Sequence, residues 1–122
     1  MFDRELAGLI ELAGTYRLRN GWIMAIRAEW CDVTPGRPRG IDYALNLMAE
    51  KNRVLGFDNS HGFDGAAEND PFDHEHRDGR VEQRVRYEFT TAEALIEDFF
   101  ARSRAACERR GIPFVFEDET DD

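Results

Sequence analysis

The chain has 122 residues, of which 42% are hydrophobic and 34% are charged, and its formal net charge is −9 at pH 7. This size and composition predict a single soluble domain that can bury a core without disulfides or metals. No apolar run approaches the roughly 20 residues that a membrane-spanning helix needs, so the sequence argues against a membrane protein.

The negative charge lies mostly outside the framework of the chain. Glu117–Asp122 holds five acids and no base, and residues 61–84 hold seven acids against three arginines. Residues 1–60 carry eight acids and eight bases. This balance argues against tight, non-specific binding of duplex nucleic acid. Fifteen of the sixteen bases are arginine, which suits a local phosphate-binding groove or simply reflects a GC-rich genome.

Two features predict a cytoplasmic protein. Met1–Glu5 carries acids where a secretory signal would carry a basic segment and then an apolar one. Cys31 and Cys107 lie far apart with no CxxC spacing, so we expect two free thiols and no disulfide.

The first half of the chain predicts a short helix or irregular lead-in followed by four strands. Apolar residues between Asp3 and Leu12 favour the helical lead-in. Asn20-Gly21 separates two extended segments and predicts a type I′ hairpin turn, because both residues tolerate a positive φ. Alternating apolar side chains predict the four strands, which are Thr15–Leu18, Trp22–Trp30, Ile41–Leu47 and Arg53–Asp58.

The second half predicts a long loop, a fifth strand and a long helix. Residues 60–79 show no periodicity and carry glycine, proline and many acids, which is typical of a functional or flexible loop. Val81–Phe89 alternates and predicts the fifth strand. Thr90–Glu93 has the pattern of a capping box at a helix start, and Gly111 marks the helix end. Ile112–Phe116 could add an edge strand.

These elements predict an α+β fold in a single domain. We expect a curled, mostly antiparallel five-stranded sheet with the long C-terminal helix packed on one face. The domain should span residues 1–116, with a flexible loop at about residues 60–79. Residues 117–122 should form an acidic, disordered tail.

All three histidines fall within sixteen residues, and this segment is the best candidate for chemistry. His74 and His76 are two apart and would project to the same side of an extended chain. Asp58, at the end of a strand, is placed to accept an N–H of one imidazole. Arg77 follows them and could neutralise a phosphoryl transition state. Metal-independent RNA cleavage needs this set, namely a base for the 2′-hydroxyl, an acid for the leaving oxygen and a cation.

Four further side chains are candidates for contact with RNA. Arg80 and His61 lie on either side of the histidine pair in the sequence. Arg37 and Arg39 flank Pro38 in a loop, where a solvated turn is an equally good explanation.

The histidine segment has two other interpretations. It could be a solvated polar loop without a role, or it could bind zinc or manganese through imidazole and carboxylate ligands. A glycine-rich loop preorganises a metal site poorly, so we expect no metal and no cofactor. If the segment is catalytic, His74 and His76 should be partly exposed in a concave surface shared with Asp58 and an arginine. Residues Gly62–Phe72 should then be mobile or act as a flap.

Four pieces of the sequence, in this order, make the chain similar to a known family. They are Gly21–Met24, Thr34–Leu45, Leu55–Asn59 followed by Asp73–His76, and Tyr87–Phe99. Together they span about three quarters of the chain, which resembles the TumE family of toxins from bacterial toxin–antitoxin pairs. The chain departs from shorter members by the insert Gly62–Phe72 and by the acidic tail.

The resemblance implies a cytoplasmic toxin restrained by a co-transcribed helix-turn-helix antitoxin. The residues add the hypothesis of a metal-independent endoribonuclease that acts on cellular RNA, with His74 and His76 as acid and base. The chain could also form a homodimer. The alternative is a non-catalytic protein-binding module, in which the histidines are structural or hold a metal.

Overall fold

Two helices and six strands make up the part of the chain that is described by the computed structural model, which comprises residues 4–35, 37–59 and 73–117. His61, most of the predicted loop and nearly all of the predicted tail lie outside these residues. None of the described helices is long and apolar enough to cross a membrane. The elements are α1 Arg4–Glu11, β1 Gly14–Arg17, β2 Ile23–Trp30, β3 Ile41–Ala49, β4 Asn52–Asp58, β5 Asp73–Arg77, β6 Arg80–Tyr87 and α2 Ala92–Arg109.

The six strands form one open sheet in the order in which they occur along the chain. Each strand pairs antiparallel with the next, and β1 and β6 are the edges. The predicted α+β class and the C-terminal helix are confirmed. The prediction of a curled, five-stranded sheet is corrected to an open sheet of six strands.

The strand that the sequence analysis missed is β5, which it had placed inside the loop at residues 60–79. All five residues of β5 are polar, so no alternation of apolar side chains marks the strand. Pairing with β4 and β6 satisfies its backbone, and four of its five residues are buried. The available signal was Asp78-Gly79, a dipeptide typical of tight hairpins, in which Gly79 adopts a φ of 81°.

Two smaller features also differ from the predictions. In the turn between β1 and β2 only Gly21 has a positive φ, and its amide donates to the Leu18 carbonyl at 2.9 Å. This geometry is a type I turn followed by a left-handed glycine, and not a type I′ turn. Ile112–Phe116 is not a strand, although Phe116 forms an isolated bridge with Leu18.

α2 packs across one face of the sheet through its apolar side. Leu95 and Phe99 are fully buried, and the ring centroid of Phe99 lies 6.3 Å from that of Phe57 in β4. Thr91 caps the helix, since its Oγ1 accepts from the Ala94 amide at 3.0 Å. The capping signal in the sequence therefore marks the helix start correctly to within one residue.

The alternation of side chains gives β5 two different faces. Glu75 points towards α2, where its Oε2 accepts from Nε of Arg102 at 2.8 Å. His74 and His76 therefore point to the opposite side of the sheet. We call the cluster of Asp58, His74 and His76 on that side the histidine face.

Candidate functional site

The pairing of β4 with β5 brings together the two segments that the sequence analysis selected. Asp58, the last residue of β4, pairs with His74, and Gly56 pairs with His76. Directly paired residues place their side chains on the same face of a sheet. His76 Nε2 lies 3.0 Å from Asp58 Oδ2, so the predicted contact between an imidazole and this carboxylate is present.

Each ring nitrogen of His76 faces an oxygen that normally accepts hydrogen bonds. Nδ1 lies 2.8 Å from the carbonyl oxygen of Val81, which can only accept, so Nδ1 carries a proton and donates it. Nε2 faces Asp58 Oδ2. Either Nε2 also carries a proton or the carboxyl group does, because two acceptors without a proton between them would repel each other. The pair therefore holds one shared proton.

His74 is arranged differently from His76. Its Nδ1 lies 2.9 Å from Nη2 of Arg84. A guanidinium group can only donate, so Nδ1 accepts and the proton of this ring sits on Nε2. The two neighbouring histidines therefore differ in their proton positions.

A second arginine stands beside the carboxylate. Arg53 Nη1 lies 3.9 Å from Asp58 Oδ2 and donates to Asn46 Oδ1 at 3.3 Å. The Asn46 side chain fills the space next to Gly56, where an added Cβ atom would meet Asn46 Oδ1 at 2.1 Å. Glycine at position 56 thus leaves room for the Asn46–Arg53 contact.

The three groups of the histidine face are buried, with exposed fractions of 7% for Asp58, 7% for His74 and 6% for His76. The expectation that both histidines are partly exposed is therefore wrong. A buried carboxylate needs hydrogen bonds and compensating charge. Here His76 supplies the hydrogen bond, and Arg53 supplies positive charge nearby.

Arg77 does not join the histidines. Its Nε lies 3.6 Å from Oε1 of Glu75, on the side of the sheet that faces α2. The arginine at the histidines is instead Arg84, which the sequence analysis did not select. Arg80, at the start of β6, lines a neighbouring cleft together with Arg53.

The two loop arginines lie at the other end of β5, around a buried carboxyl group that the sequence analysis also missed. Arg39 Nη2 donates to the Phe89 carbonyl at 3.3 Å, and Arg37 lines the same small cavity. Asp73 Oδ2 accepts from the Tyr43 hydroxyl at 2.5 Å. Burial raises the pKa of Asp73 to about 6, and the Tyr43 hydrogen bond opposes that rise.

The donor set of the histidine face suits an anion better than a metal ion. No group of three His, Cys, Asp or Glu side chains within the described residues is arranged to hold a metal. Arg53 and Arg84 stand next to Asp58 and His74, where they would repel a cation and attract a phosphate.

Comparison with known proteins adds a family match to this geometry. The family model for Toxin TumE matches residues 3–109, a span that includes the histidine face. No curated protein and no solved structure matches the chain. Because the family model covers most of the sequence, the chain belongs to the TumE toxin family.

Proposed function

We propose that this toxin is a metal-independent endoribonuclease that acts on cellular RNA in the cytoplasm. The observation that carries the proposal is the 3.0 Å contact of His76 Nε2 with Asp58 Oδ2, from which the shared proton is inferred, next to a second imidazole and two arginines. A group that holds one transferable proton is what the leaving oxygen of RNA cleavage requires. The family match supports the role of toxin and, with it, an antitoxin partner.

In the proposed reaction, His74 removes the proton of a 2′-hydroxyl group through its Nδ1 lone pair. The 2′-oxygen then bonds to phosphorus, the bond from phosphorus to the 5′-oxygen breaks, and the His76–Asp58 pair gives its proton to that oxygen. The products are a 2′,3′-cyclic phosphate and a free 5′-hydroxyl. Arg84 moves from His74 to the phosphate, where its charge stabilises the transition state and its departure frees Nδ1.

This mechanism requires that RNA binding exposes the two histidines, since they are buried in the free chain. The antitoxin would be a co-transcribed helix-turn-helix protein that blocks this step. A homodimer belongs to the same proposal, and light scattering of the purified chain tests it directly.

The test compares three purified variants on a labelled single-stranded RNA in the presence of EDTA. His76→Ala and Asp58→Asn should each slow cleavage by about 100-fold or more, because they remove the proton donor or the group that shares its proton. Asp42→Asn is the matched control, since Asp42 carries an arginine-paired carboxylate on the neighbouring strand without touching a histidine. Cleavage by His76→Ala at the rate of the unmodified protein would rule out the mechanism.

A growth assay tests the two histidines in cells. Expression of the toxin without its antitoxin should stop growth, and His74→Ala or His76→Ala should relieve the arrest. Full toxicity of both variants would argue against a catalytic role for the histidines.

The burial of His74 and His76 favours one alternative, a non-catalytic module that binds a protein partner. In that case the two imidazoles serve as hydrogen-bonding groups that hold β5 between its neighbours. Purified protein that leaves RNA intact, with and without divalent metals, and co-purifies with the product of the adjacent gene would support this alternative.

A further inference from the structure

A cleft of about 550 Å³ opens between the start of β4 and the turn that joins β5 to β6. This volume lies within the range of sites that hold small organic ligands. Seven of its ten lining residues have polar or charged side chains, and the charged members are Arg53, Arg80, Arg110, Asp78 and Glu82. The cleft therefore offers several charged and amide groups to a polar ligand.

The charges in the cleft are not balanced. The carboxylate of Asp78 accepts hydrogen bonds from Nη2 of Arg109 at 2.7 Å and from Nη1 and Nη2 of Arg110 at 2.8 Å each. These hydrogen bonds, that from Arg110 first, lower the pKa of Asp78 to about 2. Asp78 is thus neutralised by arginines that it already binds.

Arg53 and Arg80 are the two arginines of the cleft that do not bind Asp78. Arg80 is exposed and forms no ion pair with any residue in the described ranges. Arg53 is about one-third exposed at its side chain and only 3.9 Å from Asp58 Oδ2. Three arginines against the carboxylates of Asp78 and Glu82 give the lining of the cleft a net charge of +1, in a chain whose net charge is −9.

The cleft borders the histidine face directly. Arg53 contacts Asp58 from the cleft side, and the main chain of Val81, which lines the cleft, accepts the hydrogen bond from His76 Nδ1. A chain-like anion that places one phosphate at the His76–Asp58 pair would therefore extend into this cleft.

We propose that the cleft binds a backbone phosphate of single-stranded RNA next to the scissile phosphate, through the guanidinium groups of Arg53 and Arg80. Arginine forks match phosphate oxygens, and the side-chain amides of Asn52 and Gln83 line the same cleft and can donate to the sugar–phosphate backbone. The inference rests on the proposed ribonuclease function and adds to it a second phosphate subsite beside the scissile phosphate. Contacts of this kind position a nucleic acid without reading its bases.

The test measures binding of a short 2′-O-methyl RNA, which lacks the nucleophile and is not cleaved, to the intact chain. Arg80→Ala should weaken the affinity by about tenfold and reduce the slope of log affinity against log salt by about 0.7, the value for one phosphate contact on a single strand. Arg104→Ala is the matched control, because it removes one exposed arginine of α2 that stacks on Phe114 away from the cleft. It should change the affinity less than twofold.

Arg80 is exposed, so its replacement should leave the fold intact, and Arg80→Lys should restore part of the affinity while keeping the salt slope. Equal effects of Arg80→Ala and Arg104→Ala on the RNA affinity would overturn the inference. An Arg80→Ala variant that keeps its RNA affinity but no longer binds the antitoxin would also overturn it. Because the oligonucleotide is not cleaved, a chain that binds it through Arg80 yet cleaves no RNA contradicts the proposed reaction alone.

Discussion

At the scale of single residues, the chemistry of the histidine face depends on which ring nitrogen holds each proton. Arg84 donates to His74 Nδ1, whereas a carbonyl oxygen accepts from His76 Nδ1. The same atom type is thus an acceptor in one ring and a donor in the other. Two adjacent imidazoles with opposite roles at Nδ1 are suited to take a proton and to give one.

This difference predicts the nitrogen spectra of the two rings. In long-range proton–nitrogen correlation spectra at neutral pH, His74 should carry its proton on Nε2 and leave Nδ1 unprotonated. Arg84→Ala should move the His74 Nδ1 resonance, because the charged donor is gone, and Arg104→Ala should not. A protonated Nδ1 in His74 of the unmodified protein would contradict the assignment of this hydrogen bond.

The sequence predicted that Asp58 lies beside one of the imidazoles, without saying which, and it did not predict the arginine of the site. Asp58 was chosen because a carboxylate at a strand end commonly orients an imidazole. Arg77 was chosen because it follows the histidines, but in a strand it must point away from His76. Arg84 is eight residues from His76 along the chain and reaches His74 only through the pairing of β5 with β6. That pairing was unknown without the strand itself.

At the scale of elements, the site depends on how closely β3 and β4 approach each other. Gly56 faces His76 across the β4–β5 pair, and the Asn46 side chain of β3 fills the space that a side chain at position 56 would need. An added Cβ atom would also meet the Leu45 carbonyl oxygen at 2.9 Å, which is main chain and cannot turn away.

Gly56→Ala should therefore lower the free energy of unfolding by about 1–3 kcal/mol, the usual cost of overpacking. Gly8→Ala is the matched control in α1, where an added Cβ atom meets nothing within 4 Å. It should raise stability by about 0.5–1 kcal/mol, because alanine is the better helix former. Urea denaturation of both variants provides the comparison, and a neutral Gly56→Ala would show that Asn46 and the β3 backbone adapt without cost.

Strands with an apolar face were predictable and the polar strand was not. β3 alternates buried and half-buried residues along its length, and the period-two pattern of its sequence predicted it. β5 buries Asp73, His74, Glu75 and His76, so its burial depends on partners in other strands and in α2 and not on its own hydrophobicity. The pattern of side chains along one strand does not show which side chains from other elements will bind it in the folded chain.

At the scale of the whole molecule, Asp73 makes stability depend on pH in an unusual direction. Its carboxyl group has a pKa of about 6 in the folded chain against 3.8 as the ordinary value, chiefly because it is buried. Between about pH 4 and pH 6 the folded state holds a proton that the unfolded state has lost. The contribution of Asp73 to stability is therefore full below pH 4 and is lost as the pH rises through 6.

Asp73→Asn should remove this loss, since the amide oxygen still accepts from Tyr43 and carries no charge. The difference in unfolding free energy between the variant and the unmodified protein should grow by roughly 2–3 kcal/mol from pH 4 to pH 7, which is the shift of about two pH units at 1.36 kcal/mol each. Denaturant titrations at several pH values measure it. Parallel stability curves for the two proteins would show that Asp73 ionises without penalty.

The order of the strands also determines at which step of folding the histidine face is assembled. Only two residues separate β3 from β4 and β5 from β6, whereas fourteen, 59–72, separate β4 from β5. Closing the longer connection costs roughly 1–2 kcal/mol more chain entropy than closing a two-residue turn. We therefore expect two parts, the sheet from β1 to β4 and the β5–β6 hairpin, to form early and separately. The pairing of β4 with β5 should then form last. Pulse-labelled hydrogen exchange during refolding should protect β2 and β3 before the β4–β5 amides. Asp58 and His76 belong to the two parts that dock in this last step. In the proposed mechanism, a newly made toxin therefore gains its activity only when its folding is complete.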